Sequence, residues 1–227
     1  MRKIKPKNYI DVVYDEKSIP LTSYPDKLTK YLFRKYEMHS RMKLLEAGCG
    51  RGEFLNGFIK CGLKGYGLDQ YDNAVKNCPN AEIKISNFEK NKLPYPNNFF
   101  DVVFTKSVIE HLYYPERLIT EIYRVLKPGG LIITMCPDWK YNYKIYYEDY
   151  THRTPFTDIS LKDIKLIHGF ERISVLKFRQ LPILWKLKFL ILFSDLTRIF
   201  SPNALKKFKW VKFSKEIMLL GSAYKPD

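Results

Sequence analysis

Cysteine is scarce and scattered in this chain, with four residues at positions 49, 61, 78 and 136 and no C-x-x-C pair. That argues against a zinc ribbon and against a disulfide framework, and it fits a reducing, cytoplasmic setting. The four histidines and the acids show no metal-ligand spacing, so no metal is expected. The basic start MRKIKPKNYIDVV runs into no apolar segment, so a signal peptide is not expected. Internal repeats and low-complexity stretches are missing, and no run approaches the ~20 apolar residues of a comfortable membrane span. Acids are also in short supply, 24 against 39 Lys and Arg, which leaves a net charge of +15. The surplus is uneven. From Arg172 onward there are 12 basic and 3 acidic residues, a gain of nine in the last 56 positions. A basic end suits an anionic partner such as a phosphate-bearing acceptor, a lipid headgroup or nucleic acid, or simply a solvated lysine-rich surface.

What is present is an alternation of apolar runs with helical patterns. KLLEAGC, KGYGLD, AEIKISNF, FFDVVFTK, GGLIITMC and FERISVLKF read as six strands, and KEIMLLGSAYK near the end as a seventh. Between them PDKLTKYLFRKYEMHS, EFLNGFIKCG, PERLITEIYRVLK and TDISLKDIKLIHG carry helical spacing, the last opened by Thr157 or Asp158. Strands that alternate with helices of this length predict a mostly parallel sheet with helices on both faces. In such sheets ligands bind at the carboxyl ends of the strands, near the topological switch point. With 227 residues, 45% of them hydrophobic, one α/β domain is expected over 1–227, with a helical segment at 1–40 and a basic, amphipathic insertion at 180–213.

The stretch LLEAGCGRGEFL sets three glycines at alternate positions, so a ligand must come close to the backbone there. A dinucleotide fingerprint needs a third glycine where Glu53 stands, and a P-loop needs Gly-Lys-Ser/Thr, which is absent. Glu46 just ahead of the glycines would repel a pyrophosphate and suits a cationic ligand instead. Asp69 follows Glu46 by 23 residues and closes the second strand. A carboxylate at that place can accept both hydroxyl protons of a ribose.

At these residues the chain resembles the class I S-adenosylmethionine-dependent methyltransferases, whose first motif is an acid followed by G-x-G-x-G, here EAGCGRG. The likeness continues in ISNFEKNKLPYPNNFFDVV and in EIYRVLKPGGLIIT. It implies a seven-stranded sheet of order 3-2-1-4-5-7-6 with strand 7 antiparallel, and S-adenosylmethionine as methyl donor, released as S-adenosylhomocysteine. The cofactor contacts implied are Glu46, Gly48, Cys49, Gly50, Gly52, Asp69, Gln70, Asn87, Phe88 and Lys106, with Asn87 in the place that meets the adenine amino group. The Asp/Asn-Pro-Pro-aromatic motif of base N-methylation is absent after strand four, where TKSVIEHL stands, so nucleic acid is not the expected acceptor.

His111 in that segment falls where many relatives carry a histidine. After strand five, YYEDYTHRTPFT resembles the Asp-x-x-His-x-x-x-Phe stretch of relatives that methylate glycans, through Asp149, His152 and Phe156. Methyl transfer to a hydroxyl is an in-line displacement at an activated sulfonium, so alignment does most of the work and a base takes the hydroxyl proton. His152 is the first candidate base, Asp149 the group expected to orient it, and His111 the reserve. The expected acceptor is a sugar or glycolipid hydroxyl in surface polysaccharide synthesis, with a quinone, a lipid or another small molecule as the alternative. In the insertion, ILWKLKFLILF is read as a helix, and residues 183–209 are expected either to lie in a membrane interface at the inner face or to pack on the core or a second subunit. The sequence leaves the oligomeric state open.

Overall fold

The structure is a computed structural model that describes residues 9–13, 20–202, 205 and 207–227. Parts of two expected segments, at 1–8 and 14–19 and at 203, 204 and 206, lie outside the described residues. The chain divides into two compact units, one running to Asn87 and the other starting at Phe88.

The first unit contains α1 (Tyr9–Val13), α2 (Tyr24–Lys35), β1 (Lys43–Ala47), α3 (Glu53–Lys60), β2 (Lys64–Asp69), α4 (Asn73–Asn77) and β3 (Glu82–Ile85). β1 pairs in parallel with β2, and β2 with β3. Four of the five β1 residues are buried, as an apolar run in a parallel strand requires. α2 packs on α3, and Leu28, Leu32, Leu55 and Phe58 are fully buried. α2 is shorter than the helix predicted over 25–40. It stops at Lys35 because Glu37 turns to φ +49° and the Met38 amide bonds back to the Phe33 carbonyl at 2.9 Å, a left-handed helix stop.

The second unit opens with β4 (Phe100–Lys106), a 3-10 turn at Ile109–His111 and α5 (Pro115–Val125). It continues through β5 (Leu126–Pro137), α6 (Trp139–Asn142), a second 3-10 turn at Tyr146–Glu148, α7 (Asp158–Ile167) and β6 (Glu171–Arg179). It ends with α8 (Pro182–Lys186), α9 (Leu190–Phe200), α10 (Lys209–Lys215) and β7 (Ile217–Tyr224). β4 and β5 pair in parallel, while β7 runs antiparallel to both β5 and β6. Thr157 caps α7: its hydroxyl accepts the Ser160 amide at 3.2 Å, and Ser160 Oγ accepts the Thr157 amide at 2.9 Å. The strand order is β3-β2-β1-β4-β5-β7-β6, as the sequence implied.

The apolar stretch of the insertion is not the single helix expected. Leu187, at φ −112° and ψ 79°, leaves helical geometry and separates α8 from α9. The two pieces bury different side chains, Leu184 in α8 and Ser194 in α9. Among the described residues, no helix is long and apolar enough to cross a membrane.

Candidate active site

In the first unit the expected cofactor residues gather at the carboxyl ends of β1 and β2. The amides of Gly48 and Cys49 bond to the Leu68 carbonyl at 2.7 and 3.1 Å, which ties the glycine loop to β2. The Gly50 amide donates to Asp69 Oδ2 at 2.7 Å, and the Tyr71 amide to Asp69 Oδ1 at 3.1 Å. Burial pushes the Asp69 carboxyl up, and these backbone donors, with that of Gln70, pull it back. Three backbone donors on about four lone-pair sites leave the carboxylate capacity for a ligand hydroxyl. Glu46 is buried, as is Cys49, whose thiol is driven up by burial and by the nearby Glu46 and Asp69 charges.

Two glycines have distinct tasks. Gly50, at φ +51°, has open space where a Cβ would sit. Gly52, at φ +80°, has the Cys78 sulfur 2.2 Å from that place, so the loop closes down there. The cradle above Gly50 beside the Asp69 carboxylate fits the ribose end of S-adenosylmethionine. Gln70 is exposed next to Asp69, and Asn87 is half-buried beyond β3, whose end is held to β2 by the Ser86 amide on the Asp69 carbonyl at 2.8 Å. Phe88 and Lys106 belong to the second unit. Lys106, half-buried, ends β4 with Nζ 3.4 Å from Ser107 Oγ.

In the second unit, the turn after β4 and the loop after β5 bring the three expected catalytic residues together, with partners that sequence reasoning missed. The His111 and His152 rings lie 4.7 Å apart, centroid to centroid. His152 Nδ1 meets the Tyr146 carbonyl at 2.5 Å, so that nitrogen carries the proton and Nε2 keeps the lone pair. His111 Nδ1 meets Thr151 Oγ1 at 2.8 Å, and the Thr151 hydroxyl donates to Asp149 Oδ1 at 2.6 Å. The threonine therefore accepts from His111 Nδ1–H, and Nε2 of this ring too is left basic. Thr151 thus links Asp149 to His111, a connection the sequence did not suggest. The Asp149 side chain folds back two residues to take the Thr151 amide at 3.0 Å, which puts that hydroxyl between acid and ring.

Glu110 was also not foreseen. It is 1% exposed, and neither carboxylate oxygen has a well-formed hydrogen bond. Burial pushes its carboxyl up to about 8, against the pull of its own backbone amide, of Lys106 and of the Val108 backbone, while Asp149 pushes it up. Burial and the neighbouring His152 hold His111 down at about 4. One donor atom from each of Glu110, His111 and His152 lies within 4.8 Å of the other two. The absence of ligand spacing in the sequence hid this convergence, because residues 110–111 and 152 arrive on separate loops. The available signal was an acid set in an apolar context, IEHL, directly after a buried strand. Phe156, matched to the glycan-type stretch, is buried, and its carbonyl accepts the Trp139 amide at 2.8 Å, so it anchors the loop.

A cavity of about 270 Å³ lies nearby in sequence, between the segment after β5 and the insertion. Lys140, Lys144, Arg198 and Lys215 line it with Tyr141 and Tyr143, and no acid does. Lys140 is paired outside this lining with Asp158 at 2.6 Å, and Arg198 with Asp195 at 3.5 Å.

Residues 45–134 match the family described as "Methyltransferase domain". A Mycolicibacterium smegmatis protein named "Probable S-adenosylmethionine-dependent methyltransferase" is 33% identical over 121 residues, 48% of this chain and 46% of its own length. The phosphoethanolamine N-methyltransferase of Plasmodium falciparum is 28% identical over 148 residues, 60% of this chain and 54% of its own. The chain thus spans about half the length of the curated relatives it matches. In fold it is similar to Haemonchus contortus phosphoethanolamine N-methyltransferase 2, solved with phosphomonomethylethanolamine and S-adenosylhomocysteine. That likeness has a TM-score of 0.69 at 20% identity and covers 96% of this chain and 60% of that one. Strand order, glycine loop and family match agree: residues 45–134 match a methyltransferase domain, in the fold implied by the resemblance to the class I S-adenosylmethionine-dependent enzymes.

Proposed function

We propose that the chain transfers a methyl group from S-adenosylmethionine to a hydroxyl of a sugar or glycolipid, in the synthesis of a surface polysaccharide. The observation that carries the donor half is the Asp69 carboxylate held on the Gly50 amide beside open space over that glycine. Glu46, Gly48, Cys49, Gly50, Gly52, Asp69, Gln70 and Asn87 hold the cofactor. Bound there, S-adenosylmethionine supplies a methyl group already activated on a sulfonium. Asp69 accepts from ribose hydroxyls with its remaining lone pairs, and the bare Gly50 allows close approach.

On the acceptor side, the basic Nε2 atoms of His152 and His111 take up the hydroxyl proton, with Asp149 steadying His111 through Thr151. The cation-lined cavity favours an acceptor that carries phosphate, as a nucleotide sugar or a lipid-linked sugar does. It equally suits a small phosphorylated amine of the kind named in the phosphoethanolamine relatives, which is the second reading. The exposed apolar face of α9, with Leu192, Phe193, Ile199 and Phe200 at 57–76% exposure, suits residues 183–209 to a bilayer surface where a lipid-linked acceptor is found.

Two measurements test this. Calorimetric titration with S-adenosylmethionine is expected to show roughly 100-fold weaker binding in Asp69→Ala, since two charge-assisted hydrogen bonds go. An acceptor screen that follows S-adenosylhomocysteine release covers nucleotide sugars, glycolipids, phosphoethanolamine, quinones and RNA. Unchanged affinity in Asp69→Ala overturns the donor assignment, and turnover confined to quinone or RNA overturns the sugar one.

A further inference from the structure

We infer that Glu110, His111 and His152 form a binding site for one divalent transition-metal cation. The three donors come from two loops of the same unit and lie within 4.8 Å of one another. Glu110 is the pointer to a ligand: a carboxyl that is 1% exposed, with no well-formed hydrogen bond to either oxygen, is costly to bury as an anion, and a bound cation would offset that cost. Lys106 lies close enough to act on it electrostatically, but Asp149 opposes that influence.

The imidazoles are prepared for metal in the same way. A histidine ligand commonly donates its other N–H to a carbonyl or carboxylate, which fixes the tautomer. Here His152 gives Nδ1–H to the Tyr146 carbonyl at 2.5 Å, and His111 gives Nδ1–H to Thr151, which passes its own proton to Asp149. Both rings therefore offer Nε2. Two imidazoles and one carboxylate select Zn²⁺, Co²⁺, Mn²⁺ or Fe²⁺ over the all-oxygen preference of Mg²⁺, and leave further positions open. At metal–ligand distances near 2.1 Å the donors would draw in to about 3.0–3.4 Å of one another. With a cation in place the imidazoles serve as ligands, and proton loss from a bound hydroxyl is eased by the cation's charge. The site stands on geometry alone, and its test needs neither methyl donor nor acceptor, so its failure leaves the methyl-transfer proposal untouched.

The probe is Co²⁺, added to the chelator-stripped full chain and followed by its visible ligand-field bands. One equivalent is expected to bind, with the affinity falling at least about 10-fold in Glu110→Gln and in His152→Ala. Melting without metal shows whether each variant folds. If Glu110→Gln does not, His152→Ala and Thr151→Ala, which frees His111 Nδ1, decide the matter. Absence of a saturating equivalent overturns the site, as do spectra and affinities unchanged across the variants. Displacement of Co²⁺ by Mg²⁺ at similar concentration also overturns it, because nitrogen ligands would not favour Mg²⁺.

Discussion

Asp69 in the first unit and Glu110 in the second are both buried acids, 7% and 1% exposed, yet they are compensated in opposite ways. Asp69 holds backbone amides at 2.7 and 3.1 Å, while Glu110 has no well-formed hydrogen bond. The contrast extends to Lys165 of the second unit, fully buried, whose Nζ donates to Thr134 Oγ1 at 2.8 Å. Asp69 is compensated by backbone of its own unit and so presents a fixed acceptor to ligand hydroxyls. Glu110 and Lys165 are compensated less fully, so the second unit's stability should respond strongly to protons and cations.

Three experiments press on that contrast. The largest effect is expected at Lys165, whose ammonium is held by burial down at about 7 instead of 10.5, with Cys136 as the titrating neighbour. Between these values the unfolded chain binds a proton that the folded chain does not, so stability rises with pH across the window. Below it the penalty is complete. Chemical denaturation at about pH 7 and about pH 10 should show the wild-type chain gaining on the order of a few kcal/mol relative to Lys165→Met, a difference in which the raised thiols common to both cancel. Parallel pH profiles would break the comparison.

A smaller loss is expected in the first unit. Gly52→Ala forces a Cβ to 2.2 Å from the Cys78 sulfur at φ +80°, and urea titration should register about 2 kcal/mol of destabilisation. Adding Cys78→Ala removes the clash and should leave about 1 kcal/mol, the cost of the backbone conformation. Full recovery in the double variant would mean that the left-handed turn costs nothing.

The smallest effect concerns the surface of the second unit. Phe193→Glu with Phe200→Glu, at positions 57% and 76% exposed, should lower co-sedimentation with anionic vesicles several-fold, about 1 kcal/mol. The melting temperature should barely move, since neither side chain is buried. Equal vesicle binding would remove the membrane from the account of α9.

Sequence periodicity located all seven strands, because buried parallel strands are continuous apolar runs that polar turns interrupt. It overran α2, since the left-handed turn at Glu37 involves no glycine or proline that could announce it. It also joined α8 to α9, because the apolar run ILWKLKFLILF does not reveal that Leu187 leaves the helix. At the site, the residues expected to act from each loop could be named from the sequence, but their partners could not. Asp149 reads as the companion of His152, three residues away, and nothing in the sequence announces that Thr151 links it to His111. Glu110 was passed over because an acid ahead of a histidine looks solvated, and only the 3-10 turn at Ile109–His111 turns it inward.

The contact between Cys78 and the glycine loop turns a packing detail into a potential gauge. The Cys78 thiol is buried, raised by burial to about 11, and donates to the Gly52 carbonyl at 3.0 Å. A thiol so placed is almost wholly protonated at neutral pH and shielded from reagents until the loop lifts away. In a chain whose half-exposed Cys61 has been replaced, the rate of Cys78 alkylation becomes a clock for opening of the cofactor loop. A ligand that settles over Gly50 would slow that clock in proportion to its occupancy.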